Sequence, residues 1–249
     1  MYERRHVLFC DILGFRDAIR EEKIPPEKFL ITFSYLQAAV AEANRSLGSA
    51  GPFSNTDQKP YYINSRSQHF SDCIVISTPA FNVDAIWLCQ ASAEIQNMIA
   101  RRGFLCRGSI ETGCLYHGEE GIFGPALVKA VEREKETKQP RIAVSRETVE
   151  AFRIANTDED HEIIKAREYQ LLLQEEGEFY VDPFHSLKFF SKFGSRPPHK
   201  NVSHHIDAWR KTISSGLNYN CPYVRSKYEW MRLEFNSRLA KDSPWIETI

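Results

Sequence analysis

Residues 7–15 of the chain read Val-Leu-Phe-Cys-Asp-Ile-Leu-Gly-Phe, an apolar run that leads into an aspartate and then a glycine. The continuous apolar start predicts a buried strand, because a strand covered on both faces needs no alternation of polar and apolar side chains. A carboxylate at the end of such a strand costs free energy unless a partner compensates its charge. Asp11 is therefore a candidate functional residue, placed where the strand ends and the chain turns.

A second aspartate lies in a matching setting. Residues 70–76 read Phe-Ser-Asp-Cys-Ile-Val-Ile, so Asp72 comes directly before a strand-like run. Two carboxylates delivered to one place repel each other unless a cation joins them, and Mg²⁺ or Mn²⁺ prefers such oxygen ligands. The pair predicts a divalent-metal site, and the backbone N–H groups around Gly14 predict a phosphate beside it. A structural alternative stays open, in which Asp11 caps the following helix and Asp72 only makes a hairpin turn.

The composition is that of an ordinary globular protein. The chain has 249 residues, 42% hydrophobic and 26% charged, and its formal net charge is −1. This charge gives no general reason to expect nucleic-acid or membrane binding, and no segment approaches the roughly 20 apolar residues of a bilayer span. Six scattered cysteines without a Cys-x-x-Cys motif favour reduced thiols in a cytoplasmic protein. A phosphate ligand would have to be held locally, by metal and backbone.

The order of predicted elements indicates an α+β fold. Up to residue 144 the patterns predict strand, helix, strand, strand, helix, strand, helix and strand, which contains a ferredoxin-like βαββαβ core. The segments that carry this prediction are a helix over about 25–43, a hairpin of residues 61–70 and 73–77, a helix over 84–101, a strand pair over 103–110 and 111–117, and a helix after Gly124. In this topology the end of the first strand meets the hairpin turn. We therefore expect Asp11 and Asp72 to be neighbours.

The region after residue 145 carries weaker signals. Residues 171–173 and 179–181 predict a small hairpin, and residues 204–214 and 223–239 predict helices. We expect residues 1–145 to form the core. Residues 146–249 are then a C-terminal extension that packs on the core or on a second subunit.

A third segment completes the pattern. Arg107, Gly108 and Gly113 lie on one predicted strand, and Gly124 with Pro125 begins the next helix. With the two aspartates, in this order and spacing, these residues resemble the catalytic domains of class III nucleotidyl cyclases. Those domains show a Phe-x-Asp-Ile-x-Gly-Phe strand end, an aspartate in a hairpin, a strand with arginine and glycines, and a glycine before a helix. The resemblance covers residues 7–144 and implies a nucleotidyl cyclase catalytic core.

A closer likeness is to the pyrimidine cyclases of bacterial anti-phage (Pycsar) systems. Residues 70–76, 122–128 and 140–144 are similar to phrases of that branch. This resemblance implies a homodimer that converts UTP to 3′,5′-cyclic UMP and pyrophosphate, with the cyclic nucleotide as a second messenger for a separate effector in antiviral defence. It implies two Mn²⁺ or Mg²⁺ ions per site, and neither a nucleic-acid nor a membrane partner.

The same resemblance assigns roles to residues around the aspartates. Asp11 and Asp72 match the two metal-binding aspartates, and Ile12 matches a residue that offers a backbone carbonyl to the metal. The positions expected to line the triphosphate are Phe9, Leu13, Gly14 and Phe15. In the implied mechanism the metal polarises the ribose 3′ hydroxyl, which attacks the α-phosphate in line and expels pyrophosphate.

The helix after Gly124 departs from the family pattern. Purine cyclases carry there an asparagine and an arginine that act on the site of the other subunit, and the matching positions are Val128 and Glu132. Lys129 and Arg133 are four residues apart and share a helical face, so they are candidate replacements with a catalytic role. Arg107 is a third candidate. The alternative for Lys129 and Arg133 is an ordinary solvated helix face.

The position that reads a purine base also differs. A lysine of the purine cyclases is replaced by Gln68, and a second base-reading position is Gly121, which argues against ATP and GTP. The residues with hydrogen-bonding groups or a stacking face for a pyrimidine are Arg66, Gln68, His69, Tyr61 and Tyr62. For each of them an ordinary strand position is the alternative.

Three other functions stay open at this point. The chain could make cyclic CMP by the same mechanism, or it could be a catalytically degenerate domain that binds nucleotide as a sensor. A relative of the palm domain of polymerases would use the same aspartates. The near-neutral charge disfavours this last alternative, because a nucleic-acid template calls for a basic surface.

Overall fold

A mixed β-sheet forms the centre of the protein, with strand order β2-β3-β1-β4-β6-β8-β7 and β5 paired with β4. The structure is a computed structural model that describes residues 1–20, 65–157, 171–192, 200–241 and 245–249, with single positions between 25 and 37. The strands are β1 (Glu3–Leu13), β2 (Arg66–Phe70), β3 (Cys73–Pro79), β4 (Leu105–Gly118), β5 (Gly121–Phe123), β6 (Ile142–Val144), β7 (Leu172–Glu175) and β8 (Glu178–Val181).

In the described ranges, helices lie between the strands or strand pairs, and a run of helices follows β8. They are α1 (Phe15–Arg20), α2 (Asn82–Ala100), α3 (Pro125–Glu136), α4 (Arg146–Thr157), α5 (His185–Lys192), α6 (Lys200–Gly216) and α7 (Pro222–Glu234), and a π-helical segment (Phe235–Ala240) continues α7. None of the helices in the described ranges has the length and hydropathy of a membrane span. Most of the helix predicted over residues 25–43 and the start of the strand predicted from residue 61 lie outside the described residues.

The ferredoxin-like core is confirmed by the pairing of β1. This strand lies between β3 and β4 and is antiparallel to both, and β2 pairs antiparallel with β3, so β1 and β2 run the same way. The prediction of two strands between residues 103 and 117 was wrong. A single strand β4 covers this range because it pairs without interruption along the whole of β1, from Glu3 opposite Leu115 to Leu13 opposite Leu105.

Alternate side chains of β1 face different helix layers. Leu8, Cys10 and Ile12 are buried in a core with α2 and α4. Val7 and Phe9 pack on the other face against Ala126 and Ala130 of α3. Because side chains of a strand alternate with period two, Asp11 emerges on the α3 face.

The C-terminal region continues the same sheet. Strand β8 pairs antiparallel with β6, and β7 closes the small predicted hairpin. Helices α5 to α7 form a second core around Phe184, Trp209 and Phe235. The Trp209 ring N–H donates a hydrogen bond to the side chain of Asn97 on α2, at 2.8 Å. The hairpin and the helices predicted after residue 145 are confirmed. Strands on both sides of residue 145 share one sheet. The division into a core and an extension at this residue stays a prediction.

Candidate active site

Asp11 and Asp72 lie side by side at one end of the sheet. The antiparallel pairing places Asp11 opposite Cys73, and Asp72 occupies the turn between β2 and β3. The backbone N–H of Ile12 donates a hydrogen bond to the carbonyl oxygen of Asp72, at 2.8 Å. This bond ties the hairpin turn to the end of β1. The expectation that the two aspartates are neighbours is confirmed.

The donor atoms of this cluster suit a divalent cation. Asp11, Asp72 and Cys73 each offer one ligand atom, and these atoms all lie within 4.8 Å of one another. Carboxylate oxygens are the ligands that Mg²⁺ and Mn²⁺ prefer, and a thiol beside them is tolerated better by the softer Mn²⁺. The residues present therefore fit the implied metal. Cys73 was not among the predicted site residues, although it follows Asp72 directly.

The electrostatics of Asp11 show that the nearby arginines do not compensate fully for its burial and for the neighbouring carboxylates. Burial, together with the neighbouring charges of Asp72 and Glu134, raises the pKa of the Asp11 carboxyl to about 6, while Arg107 and Arg16 act in the opposite direction. Desolvation disfavours the ionised form, and a second carboxylate adds repulsion. A cation between the aspartates would remove both costs.

The turn after Asp11 is open on its outer side. Gly14 has φ +79°, a conformation that side chains disfavour, and no atom lies within 4 Å of where a Cβ would be. Its carbonyl accepts the first hydrogen bond of α1, from the N–H of Ala18. Phe9 and Phe15 are buried, so any contact of theirs with a triphosphate would use the backbone. The roles predicted for Phe9, Leu13, Gly14 and Phe15 at the triphosphate, and for the Ile12 carbonyl at the metal, stay predictions.

Arg107 lies directly across from Asp11 on β4, but its guanidinium binds α3. Its Nε and Nη2 each lie 2.5 Å from one carboxylate oxygen of Glu134, and its Nη1 donates to the carbonyl of Thr137 at 3.2 Å. Arg107 is thus beside the aspartates, but its positive charge is paired with the carboxylate of Glu134. Glu134 was missed at the sequence level, although Ala126, Ala130 and Glu134 recur every four residues and so mark one face of the helix.

The other two basic candidates occupy different environments on α3. Arg133 binds Glu111 on β4 and donates to Glu178 on β8, at 3.1 Å for the latter pair. Lys129 is exposed. Lys129 therefore fits the alternative of an ordinary solvated helix face, whereas Arg133 links α3 to the sheet through its two ion pairs. Any action of either residue on the site of a second subunit stays a prediction.

The candidate base-reading residues line strand β2. Gln68 lies opposite Val75, and Arg66 lies opposite Ser77, so both share the sheet face of Asp11. The Oε1 atom of Gln68 is buried without a hydrogen-bond partner among the described residues, whereas Arg66 donates to the carbonyl of His117. His69 follows Gln68 directly on the strand and therefore lies on the opposite face of the sheet. Tyr61 and Tyr62 lie outside the described residues.

Comparisons with known proteins give likenesses of chain arrangement alone. No family model and no curated protein matches the chain. Among solved structures, the adenylyl cyclase CyaB from P. aeruginosa is 14% identical with a TM-score of 0.45, over 80% of this chain and 92% of that one. The monomeric guanylyl cyclase domain of the RhoGC fusion protein from the aquatic fungus Blastocladiella emersonii is 15% identical, with a TM-score of 0.45 over 72% and 95%. The adenylate/guanylate cyclase/hydrolase from Silicibacter pomeroyi is 16% identical, with a TM-score of 0.44 over 73% and 95%.

Proposed function

We propose that this chain is a class III nucleotide cyclase that converts UTP to 3′,5′-cyclic UMP and pyrophosphate. The observation that carries the proposal is the meeting of Asp11 and Asp72 at the end of β1, next to the open turn at Gly14. Their sequence surroundings are those that resemble the cyclase motifs. Two carboxylates beside an open backbone turn suit a metal-bound triphosphate, whereas capping alone does not call for a second acid at this point.

The residues of the chain would divide the work of binding. Asp11 and Asp72 would hold Mn²⁺ or Mg²⁺, and the backbone around Gly14 would face the phosphates. When bound, the cation supplies positive charge that favours ionisation of the ribose 3′ hydroxyl and neutralises the phosphates. The side chains contribute mainly by holding the reacting groups in place, since phosphoryl transfer needs little other chemistry from the protein.

Gln68 is the residue that we propose to contact the base of UTP. Its buried Oε1 acceptor has no partner among the described residues, and such an atom costs free energy until a ligand satisfies it. Uracil carries a ring N–H donor that could bind this oxygen, and a lysine at this position would offer only donors. Cytosine lacks that ring N–H, but its exocyclic amino group can donate to the same oxygen, so we place UTP before CTP on the resemblance of the sequence motifs and not on Gln68.

A second copy of the chain is the partner that the surface favours. Tyr2 and Phe123 are 53% and 54% exposed and contact each other, with ring centres 6.0 Å apart, and Tyr116 stacks on Phe123. Val128 on α3 is also exposed. Exposed aromatic clusters of this kind are typical of protein interfaces. A homodimer would place α3 of one subunit near the aspartates of the other, and its product would act on a separate effector in antiviral defence.

One observation favours a second candidate, a nucleotide-binding sensor without turnover. Val128 and Glu132 stand where an asparagine and an arginine would act, and the guanidinium groups of Arg107 and Arg133 bind Glu134 and Glu111 within the same chain. A sensor of this kind would bind nucleotide in a metal-dependent manner and release no pyrophosphate.

Incubation of the full chain with each of the four ribonucleoside triphosphates and Mn²⁺ tests the proposal, with products identified by mass spectrometry. We expect cyclic UMP from the wild type, none from Asp72→Asn, and wild-type amounts from the control Asp17→Asn, which changes an exposed acid on the neighbouring α1. Cyclic CMP would correct the base. Nucleotide binding without any cyclic product would establish the sensor, and equal product from Asp72→Asn would remove the metal site from the mechanism.

A further inference from the structure

Asp11 faces a potential competitor for its charge within the sheet. Arg107 is its direct partner in the antiparallel pairing of β1 and β4. Directly opposed side chains of such strands have Cβ atoms about 4.5–5.5 Å apart and lie on the same face. An arginine at this distance reaches an aspartate without a change of backbone. A pair between Arg107 and Asp11 would occupy the carboxylate and place a positive charge where a divalent cation has to bind.

Glu134 binds the guanidinium that would form this pair. One of its carboxylate oxygens is 2.5 Å from both Nε and Nη2 of Arg107, and the remaining Nη1 donates to the carbonyl of Thr137. Glu134 itself is buried, with 4% of its surface exposed. Each nitrogen of Arg107 is therefore directed toward the end of α3.

The position of Glu134 is set by the packing of α3 on β4. The hydroxyl of Ser109 donates to the carbonyl of Ala130 at 2.8 Å. Gly113 on β4 lies against Ala126, where an added Cβ would be 3.4 Å from the alanine methyl. The small residues at these contacts bring the helix close to the strand, and Glu134, one further turn along the same face, then lies over Arg107.

We propose that Glu134 is a positioning residue of the metal site, which binds the guanidinium of Arg107 and thereby leaves both Asp11 and Asp72 for a divalent cation. The inference rests on the proposed function only in assigning the cation to these two aspartates. The pair of Arg107 and Glu134 is nearly neutral as a unit, so the local field stays negative enough to attract a cation. Without Glu134 the partly buried guanidinium would take Asp11 as its partner, because an unpaired charge that is largely withdrawn from water is unfavourable.

The test is Mn²⁺ binding to the full chain without nucleotide, measured from the paramagnetic resonance signal of free Mn²⁺. We expect Glu134→Gln to weaken Mn²⁺ binding by about 10- to 100-fold, the usual effect of residues that orient metal ligands. The matched control is Glu111→Gln, which removes a similarly buried acid that binds Arg133 of the same helix. We expect that control to bind Mn²⁺ like the wild type.

The double variant Arg107→Met/Glu134→Gln separates positioning from a merely structural role. It removes both charges, so we expect Mn²⁺ binding to recover by about tenfold relative to Glu134→Gln alone. It also leaves no unpaired charge, and if the single variant fails to fold the double variant is compared with the wild type, whose Mn²⁺ affinity it should match within about tenfold. Unchanged Mn²⁺ binding in Glu134→Gln, or a double variant as weak as the single one, would overturn the proposal. A wild type that does not bind Mn²⁺ would overturn the metal site itself, and with it the proposed function.

Discussion

Replacing Asp11 by asparagine should make the metal-free protein more stable. The pKa of the Asp11 carboxyl is raised from 3.8 to about 6, first by burial and then by the charge of Asp72. A shift of roughly two pH units corresponds to about 3 kcal/mol in the free energy of unfolding. Because Asp11 is only partly buried, solvent screens this cost, and we expect the gain to be about 1–2 kcal/mol.

The sign of the pH dependence follows from proton uptake. Between pH 3.8 and 6 the folded protein keeps a proton on Asp11 that the unfolded chain has lost, so the stability of the wild type falls as the pH rises through this window. The asparagine variant has no such group. The two proteins should therefore be similarly stable near pH 4 and differ fully above pH 6.

Urea unfolding in EDTA at pH 5 and at pH 7.5 measures this difference. In Mn²⁺ the order should reverse, because a ligand at 100 times its dissociation constant stabilises the wild type by about 2.7 kcal/mol and should not bind the variant site. If Asp11 only capped α1, asparagine would be an equally good cap and the two proteins would be equally stable under both conditions. A variant that is less stable in EDTA at pH 7.5 would refute the argument from buried, repelling carboxylates.

Three further outcomes are expected from residues away from the aspartates. Gln68→Ala should lower kcat/KM for UTP by about tenfold, the effect of one lost hydrogen bond to a base, while Asp17→Asn does not, as steady-state pyrophosphate release would show. Phe123→Asp should shift the chain from dimer to monomer in sedimentation velocity, because it places a charge in the exposed aromatic cluster; an unchanged sedimentation coefficient would exclude that surface. Burial lowers the pKa of His6 to about 4, so only the unfolded chain gains its proton between pH 6.5 and 4, and stability should fall by about 3 kcal/mol as the pH drops through this window. In His6→Gln this part of the pH dependence should be absent from urea unfolding curves.

The order of strands and helices in the core could be predicted from local sequence patterns. The apolar run before Asp11, the hairpin around Asp72 and the proline that begins α3 each reflect preferences of a few adjacent residues. These preferences placed the elements in the order of a ferredoxin-like core, and that topology in turn predicted that the two aspartates meet. The error lay in β4, where residues 110–111 continue a long strand. Whether a strand continues there depends on its partner, and β1 supplies hydrogen bonds along the full length.

The sequence by itself determined the core topology and the convergence of Asp11 and Asp72, because strand pairing in this fold leaves few arrangements for the ends of β1 and of the hairpin. Only the tertiary structure decided what surrounds them. Arg107 and Glu134 are 27 residues apart, so the local sequence, which marks the helix face of Glu134, does not indicate that Arg107 is its partner. Their contact depends on how closely α3 lies on β4, which is set by the summed packing of small side chains. That distance decides whether Arg107 binds the helix or the aspartate.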